Sequence, residues 1–147
     1  MPDSGQSRVP VRLRVDPALC DAASVGDRRS LQRLLANGVS PDSADEDGTT
    51  ALMAAAFAGQ GEVVRDLLMA GADPDAQDVS GMTALMNAII ANAEIELGEA
   101  HPVFAEIIEQ LLAAGADTDL EDEDGATAAD LAESSDLHEL VDLLKGR

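Results

Sequence analysis

Gly38 and Gly71 lie 33 residues apart in this chain, and so do Gly48 and Gly81. Leu34-Leu35 returns at the same interval as Leu67-Leu68. The next intervals, Gly71 to Gly115 and Gly81 to Gly125, are both 44, so a third copy of the unit holds 11 extra residues between Gly81 and Leu111. A fixed period of this size marks a repeat architecture, in which each unit completes its interior only against its neighbours. This feature constrains the fold more than any other in the sequence.

Each copy has the same internal order. An acidic, Gly-containing turn is followed by a Thr and a short Ala-rich run: "TALMAAAFAG", "TALMNAIIAN", "TAADLAES". Thr50, Thr83 and Thr127 are each placed to accept a backbone N–H at a helix N-terminus, and Asp16 before Pro17 opens the first helix the same way. A second helix carries apolar residues three and four apart, such as Val63, Val64, Leu67 and Leu68, and ends at a Gly able to turn left-handed. Stacked pairs would align Leu34, Leu35, Leu67, Leu68, Leu111, Leu112, Leu143 and Leu144 in one continuous ladder.

These residues resemble the ankyrin repeat family, whose unit of about 33 residues opens on Gly-x-Thr-Pro-Leu-His-x-Ala-Ala and closes on Leu-Leu-x-x-Gly-Ala-Asp. The resemblance covers residues 16–147 and is strongest over 45–77, "DEDGTTALMAAAFAGQGEVVRDLLMAGADPDAQ". It implies an all-α solenoid of about four helix-turn-helix units with short acidic β-turn fingers, divided near 16–44, 45–77, 78–121 and 122–147. Residues 1–15 stand apart as a basic N-terminal arm. The family's Pro-Leu-His is replaced by Ala51-Leu52-Met53, Ala84-Leu85-Met86 and Ala128-Ala129-Asp130. The His that ties neighbouring turns is therefore missing, which leaves turn rigidity open and the packing pattern intact.

The extra residues fall in "AIIANAEIELGEAHPVFAEIIEQLLAAGAD". No breaker interrupts Ala91–Leu97, so the first helix of the third copy is expected to run to about residue 97 and stop at Gly98. Pro102 then opens the second helix, making both helices longer than their neighbours. The lengthened pair would form a knob with Ile95 and Leu97 facing Val103 and Phe104, either packed on itself or presented as a second contact surface.

Composition narrows the chemistry. The net charge is −20, from 29 Asp+Glu against 9 Lys+Arg, which repels nucleic acid and anionic lipid and attracts basic surfaces. Arg8, Arg12 and Arg14 concentrate positive charge in "RVPVRLRV", where Val9, Val11, Leu13 and Val15 alternate as in a strand. Such an arm lies on the acidic body or remains a frayed tail. One cysteine, Cys20, permits no internal disulfide, and no apolar run nears a membrane span, so a cytoplasmic protein is expected. His101 and His138 read as surface side chains, Cys20 as a small buried residue, and no zinc spacing, phosphate loop or nucleophile elbow occurs. We expect no enzyme activity, no metal and no cofactor.

Thirteen acids crowd the turns: Asp42, Asp45, Glu46, Asp47, Asp73, Asp75, Asp78, Asp117, Asp119, Glu121, Asp122, Glu123 and Asp124. A calcium loop fails on register, since counting back from Gly125 puts Leu120, and from Gly48 puts Ser43, where the first ligand belongs. Solubility and electrostatic steering both account for the acids. The resemblance implies partner contacts on the concave face, from the turn tips and the outward positions of the first helices. By position these are Glu46, Asp47, Thr49, Phe57 and Ala58, then Val79, Ser80, Met82, Ile90 and Ala91, then Glu123, Asp124 and Ala126. Phe57, Ile90 and Met82 would be its apolar centre unless Phe57 folds down between helices. A monomeric binding module for a basic protein partner is the first expectation. An acidic inhibitor or immunity-type protein that neutralises a toxic or nucleic-acid-binding enzyme is the second.

Overall fold

The computed structural model describes residues 17–95 and 101–146. The basic arm, the capping Asp16, and Leu97 and Gly98 lie outside the described residues. Among the described residues eight helices follow in chain order: α1 (Pro17–Val25), α2 (Arg28–Ala36), α3 (Ala51–Ala58), α4 (Gly61–Met69), α5 (Ala84–Ala93), α6 (Pro102–Ala113), α7 (Ala128–Ser134) and α8 (His138–Lys145). They pair as hairpins, α1 with α2 through α7 with α8. The first helices form one layer, with α3 against α1 and α5 against both α3 and α7, and α4 packs on α6 behind them. The fold is an all-α solenoid.

Why helices form here is visible at their ends. Thr50, Thr83 and Thr127 take extended backbone angles, and their side chains accept the N–H of Met53, Met86 and Asp130. In α3 the missing acid of a capping box is replaced by sulfur: Met53 Sδ accepts the Thr50 N–H at 3.5 Å. In α7 the box is complete, because Asp130 accepts the Thr127 N–H at 3.0 Å. The C-termini explain the recurring Leu-Leu-x-x-Gly-Ala. Gly71 N donates to Leu68 O and Ala72 N to Leu67 O; Gly38–Val39 and Gly115–Ala116 repeat the pair of bonds. These glycines have φ near +90°, a conformation in which a Cβ would be strained.

The apolar faces merge into one interior. Leu31, Leu67, Leu111, Leu112 and Leu144 are buried, and Leu34, Leu35, Leu68 and Leu143 pack half-buried against the same cluster. Alanines fill the gaps between the first helices: Ala51, Ala55, Ala56, Ala84 and Ala88 are essentially inaccessible. Large side chains there would push the helices apart. Across the outer layer, Arg28 of α2 makes a two-pronged contact with Asp66 at 2.7 and 3.0 Å and reaches Glu62 at 3.0 Å, both on α4.

The third hairpin departs from expectation at one point. Helix α5 ends at Ala93, and Glu94 and Ile95 form a turn rather than continuing to residue 97. The cause is Asn92, which stands where the second copy has Gly59 and is 2% exposed. Its Oδ1 accepts the His101 N–H at 2.7 Å, drawing the far side of the insertion back to the helix end. His101 then caps α6 through Nδ1, and its ring meets Phe104 edge-on at 6.3 Å between centroids. It is a positioned, half-buried residue rather than an ordinary surface histidine. The start of α6 also rests on the second repeat: a Cβ placed on Gly59 would come within 3.3 Å of Val103 Cγ1 and 3.4 Å of Phe104 Cζ.

The Asp130 carboxyl is held below its ordinary value of 3.8, first by the Thr127 backbone N–H and then by the Thr127 hydroxyl. A carboxyl depressed in the folded state contributes stability above its unfolded pKa and loses it as pH falls through the folded value. Urea unfolding of Asp130→Asn and wild type should therefore differ at neutral pH and converge as pH drops below 3.8. A difference independent of pH would show that the charge on Asp130 is not what caps α7.

Candidate functional site

The acidic turns are built from their own carboxylates. In the first finger Asp45 N donates to Thr49 O at 3.0 Å, closing a loop next to the antiparallel bridge between Ala44 and Thr50. Asp45 Oδ1 also accepts the N–H groups of Asp47 and Thr49, both at 2.9 Å. Asp78 does the same for Ser80 and Met82, and Asp122 for Asp124 and Ala126. Short Asp side chains suit this task because they reach a backbone N–H two residues on without leaving the turn.

A second set of carboxylates links one repeat to the next. Asp42 accepts the Asp73 N–H at 2.7 Å, and Asp75 accepts the Asp117 N–H at the same distance. Asp73 and Asp117 order their own loops by accepting from Asp75 and Asp119, and Ser40 Oγ plays that part for Asp42 in the first copy. Thus the Gly-Ala-Asp-x-Asp spacing carries one intra-loop bond and one inter-repeat bond. Seven of the thirteen acids, Asp42, Asp45, Asp73, Asp75, Asp78, Asp117 and Asp122, are committed to backbone donors. Glu46, Asp47, Asp119, Glu121, Glu123 and Asp124 remain as the uncommitted charge.

The fingers are tied to each other directly, so the absent histidine does not leave them loose. Val79 N donates to Asp47 O at 2.9 Å, and Glu123 N to Ser80 O at 2.8 Å. Gln77 Nε2 bridges Gly81 O at 2.9 Å and Glu121 O at 3.0 Å. Cys20 occupies a comparable linking place: its buried thiol donates to Thr49 O at 3.1 Å, which joins α1 to the first finger.

On this frame the expected contact residues separate into three groups. Glu46, Asp47, Val79, Glu123 and Asp124 are exposed at the finger tips, Val79 at 73%. Thr49, Ser80, Met82 and Ala126 are half-buried along the fingers. Of the helix positions, Phe57 is 43% exposed rather than folded between helices, Ala58 is exposed and Ile90 is half-buried. Ala91 is 5% exposed and belongs to the core. It corresponds to Ala58 by register, but α3 ends at Ala58 whereas α5 continues past Ala91 through Asn92 to Ala93.

Val25 is a further exposed apolar side chain, not among the expected contacts. It is 73% exposed and lies 33 residues before Ala58, a correspondence that the Gly26-to-Gly59 interval makes visible in the sequence. Ile95 and Val103 add partly exposed apolar surface at 38% and 39%. A shallow groove of about 520 Å³ runs between α1 and α2, lined by Ala18, Ala22, Val25 and Leu34 with Asp21, Asp27, Ser30 and Arg33 at its edges. Among the described residues no group of three or more His, Cys, Asp or Glu is arranged to hold a metal ion, and no helix is long and apolar enough to cross a membrane.

A family model described as ankyrin repeats (3 copies) matches residues 19–97, just over half of the chain. No curated protein matches it at a significant level.

Proposed function

Since the chain belongs to the ankyrin repeat family, whose members are generally protein–protein interaction modules, we propose that it binds a protein partner with a basic surface through the finger tips and the outward side of the first helices. The observation that carries this reading is that Phe57 and Val79 are exposed, at 43% and 73%, while the tip carboxylates of Glu46, Asp47, Glu123 and Asp124 hold no backbone donor among the described residues. Exposed aromatic and apolar side chains on a surface that also carries free charge have the composition of a binding hot spot with a polar rim. The uncommitted Glu46, Asp47, Glu123 and Asp124 supply long-range attraction, which raises association rates and fades with salt.

Phe57→Ala removes a half-exposed ring from a helix whose buried face is alanine, leucine and methionine. Helicity should be retained, and affinity for the partner should fall by at least about 1 kcal/mol. Calorimetry with the partner recovered from a lysate at low salt measures both wild type and variant, and unchanged affinity would remove Phe57 from the site.

The acidic-inhibitor reading rests on the tip charge alone and makes a separable prediction. Glu123→Gln with Asp124→Gln should abolish salt-sensitive inhibition of a nucleic-acid enzyme while Phe57→Ala leaves it intact. Asp122 is unsuitable for that test, because its carboxylate holds the Asp124 and Ala126 N–H groups and its neutralisation would disturb the finger itself.

A further inference from the structure

The two ends of the solenoid are finished differently. At the C-terminal end Asp130, Glu133 and Glu139 are exposed where the third repeat has the buried Met86, Ile89 and Ile107. A terminal unit needs such a polar outer face, because no further hairpin covers it. The N-terminal end keeps the inner pattern instead. Ala18 is exposed, whereas its counterparts Ala51, Ala84 and Ala128, each with a hairpin before it in the stack, are buried. Leu34 is half-buried where Leu67 and Leu111 are sealed. With Ala22 and Val25 these two residues line the groove of about 520 Å³ between α1 and α2. Among the described residues, that groove is half of a repeat junction without its other half.

Charge decides what can cover it. Residues 17–36 carry Arg28, Arg29 and Arg33 against Asp21 and Asp27, a positive excess on a chain of net charge −20. Elsewhere among the described residues the lysine and arginine side chains are Arg65 and Lys145 alone. Two copies therefore meet least repulsion at this hairpin. The groove is also its own complement. Asp27 is spent on the N–H and hydroxyl of Ser30, which leaves Asp21 on α1 and Arg33 on α2 as its free charges. A two-fold axis that lays α1 of one copy along α2 of the other brings each Asp21 to the Arg33 opposite and closes the two apolar floors on each other. Head-to-tail stacking would instead bury Asp130, Glu133 and Glu139, at the cost of desolvating three carboxylates. We propose that the α1–α2 face is a self-association surface on which two copies pair across a two-fold axis, with Ala18, Ala22, Val25 and Leu34 at the centre and Asp21–Arg33 pairs at the edges. The pairing needs no other protein, so its test is independent of the binding reading above.

Sedimentation equilibrium of the full chain at low salt tests it. The average mass should rise with concentration from one chain toward two and stop there. Ala18→Glu with Val25→Glu, both at exposed positions, should keep the helicity seen by circular dichroism and weaken association at least about tenfold. Arg33→Glu and Asp21→Arg should each weaken it as much, since like charges then meet twice across the axis. An equimolar mixture of those two variants should associate as wild type does, a rescue that misfolded chains would not show. Wild type that remains a single chain up to millimolar concentration overturns the proposal, and would mean that the face stays open or that residues 1–16 cover it. Growth beyond two copies overturns it in favour of head-to-tail stacking. Undiminished association of Ala18→Glu with Val25→Glu, or a mixture no better than its components, overturns it as well.

Discussion

Leu85→Ala should lower the free energy of unfolding by roughly 2–5 kcal/mol, measured by urea titration followed by circular dichroism. Leu85 is 1% exposed on α5, the helix that packs against α3, α6 and α7 and so lies at the centre of the solenoid. Removing three heavy atoms from a fully buried side chain there leaves a cavity that the surrounding core can only partly close. In a linear array the loss is also felt as weakened coupling between units. The transition should therefore broaden as well as shift, with the 84–146 half unfolding before the first two hairpins. Leu143→Ala, at a half-buried position on the terminal helix α8, should cost less and leave the transition sharp. Equal effects at the two positions would contradict a core whose completeness depends on neighbours.

Gly81→Ala should cost roughly 2–5 kcal/mol, the sum of left-handed backbone strain and overpacking. At Gly81, φ is +77°, and an added Cβ would come within 2.9 Å of Asp122 Cα and 3.0 Å of Glu123 N. Those atoms are backbone and belong to the next finger, so relief requires breaking the Glu123-to-Ser80 bond that joins the two. Gly115 provides the comparison. Its φ is +89°, yet nothing lies within 4 Å of the added atom, so Gly115→Ala should show the strain alone, about 1–2 kcal/mol. Thermal or urea unfolding of the two variants measures the difference directly. If they were equally destabilised, the contact between fingers would not be what requires glycine at residue 81.

The same contrast shows how far the chain could be read without coordinates. Thr50, Thr83 and Thr127 were identifiable as caps and Gly38, Gly71 and Gly115 as helix ends, because those bonds close within a few residues of one another. Register put Phe57 and the finger-tip residues at exposed positions, and exposed they are. Ala91, which register pairs with the exposed Ala58, is 5% exposed, on a helix that runs on to Ala93 where α3 ends at Ala58. Asn92 gave only a faint signal, the loss of a glycine at the place of Gly59, and its role depends on His101, nine residues away. The acids were the hardest to read. Asp122 and Asp124 look alike in "EDEDG", yet one organises the finger and the other is free.

What the amino-acid order determined alone was the unit: its period, its caps, its glycine closures and the apolar stripe each helix must bury. Local hydrogen bonds and side-chain spacing suffice for these, since donor and acceptor are near neighbours along the chain. The tertiary structure decided which alanines are sealed, and that Asp42 and Asp75 are spent on the loop of the next repeat. Those outcomes depend on atoms from an adjacent repeat, whose approach is fixed only when the hairpins stack.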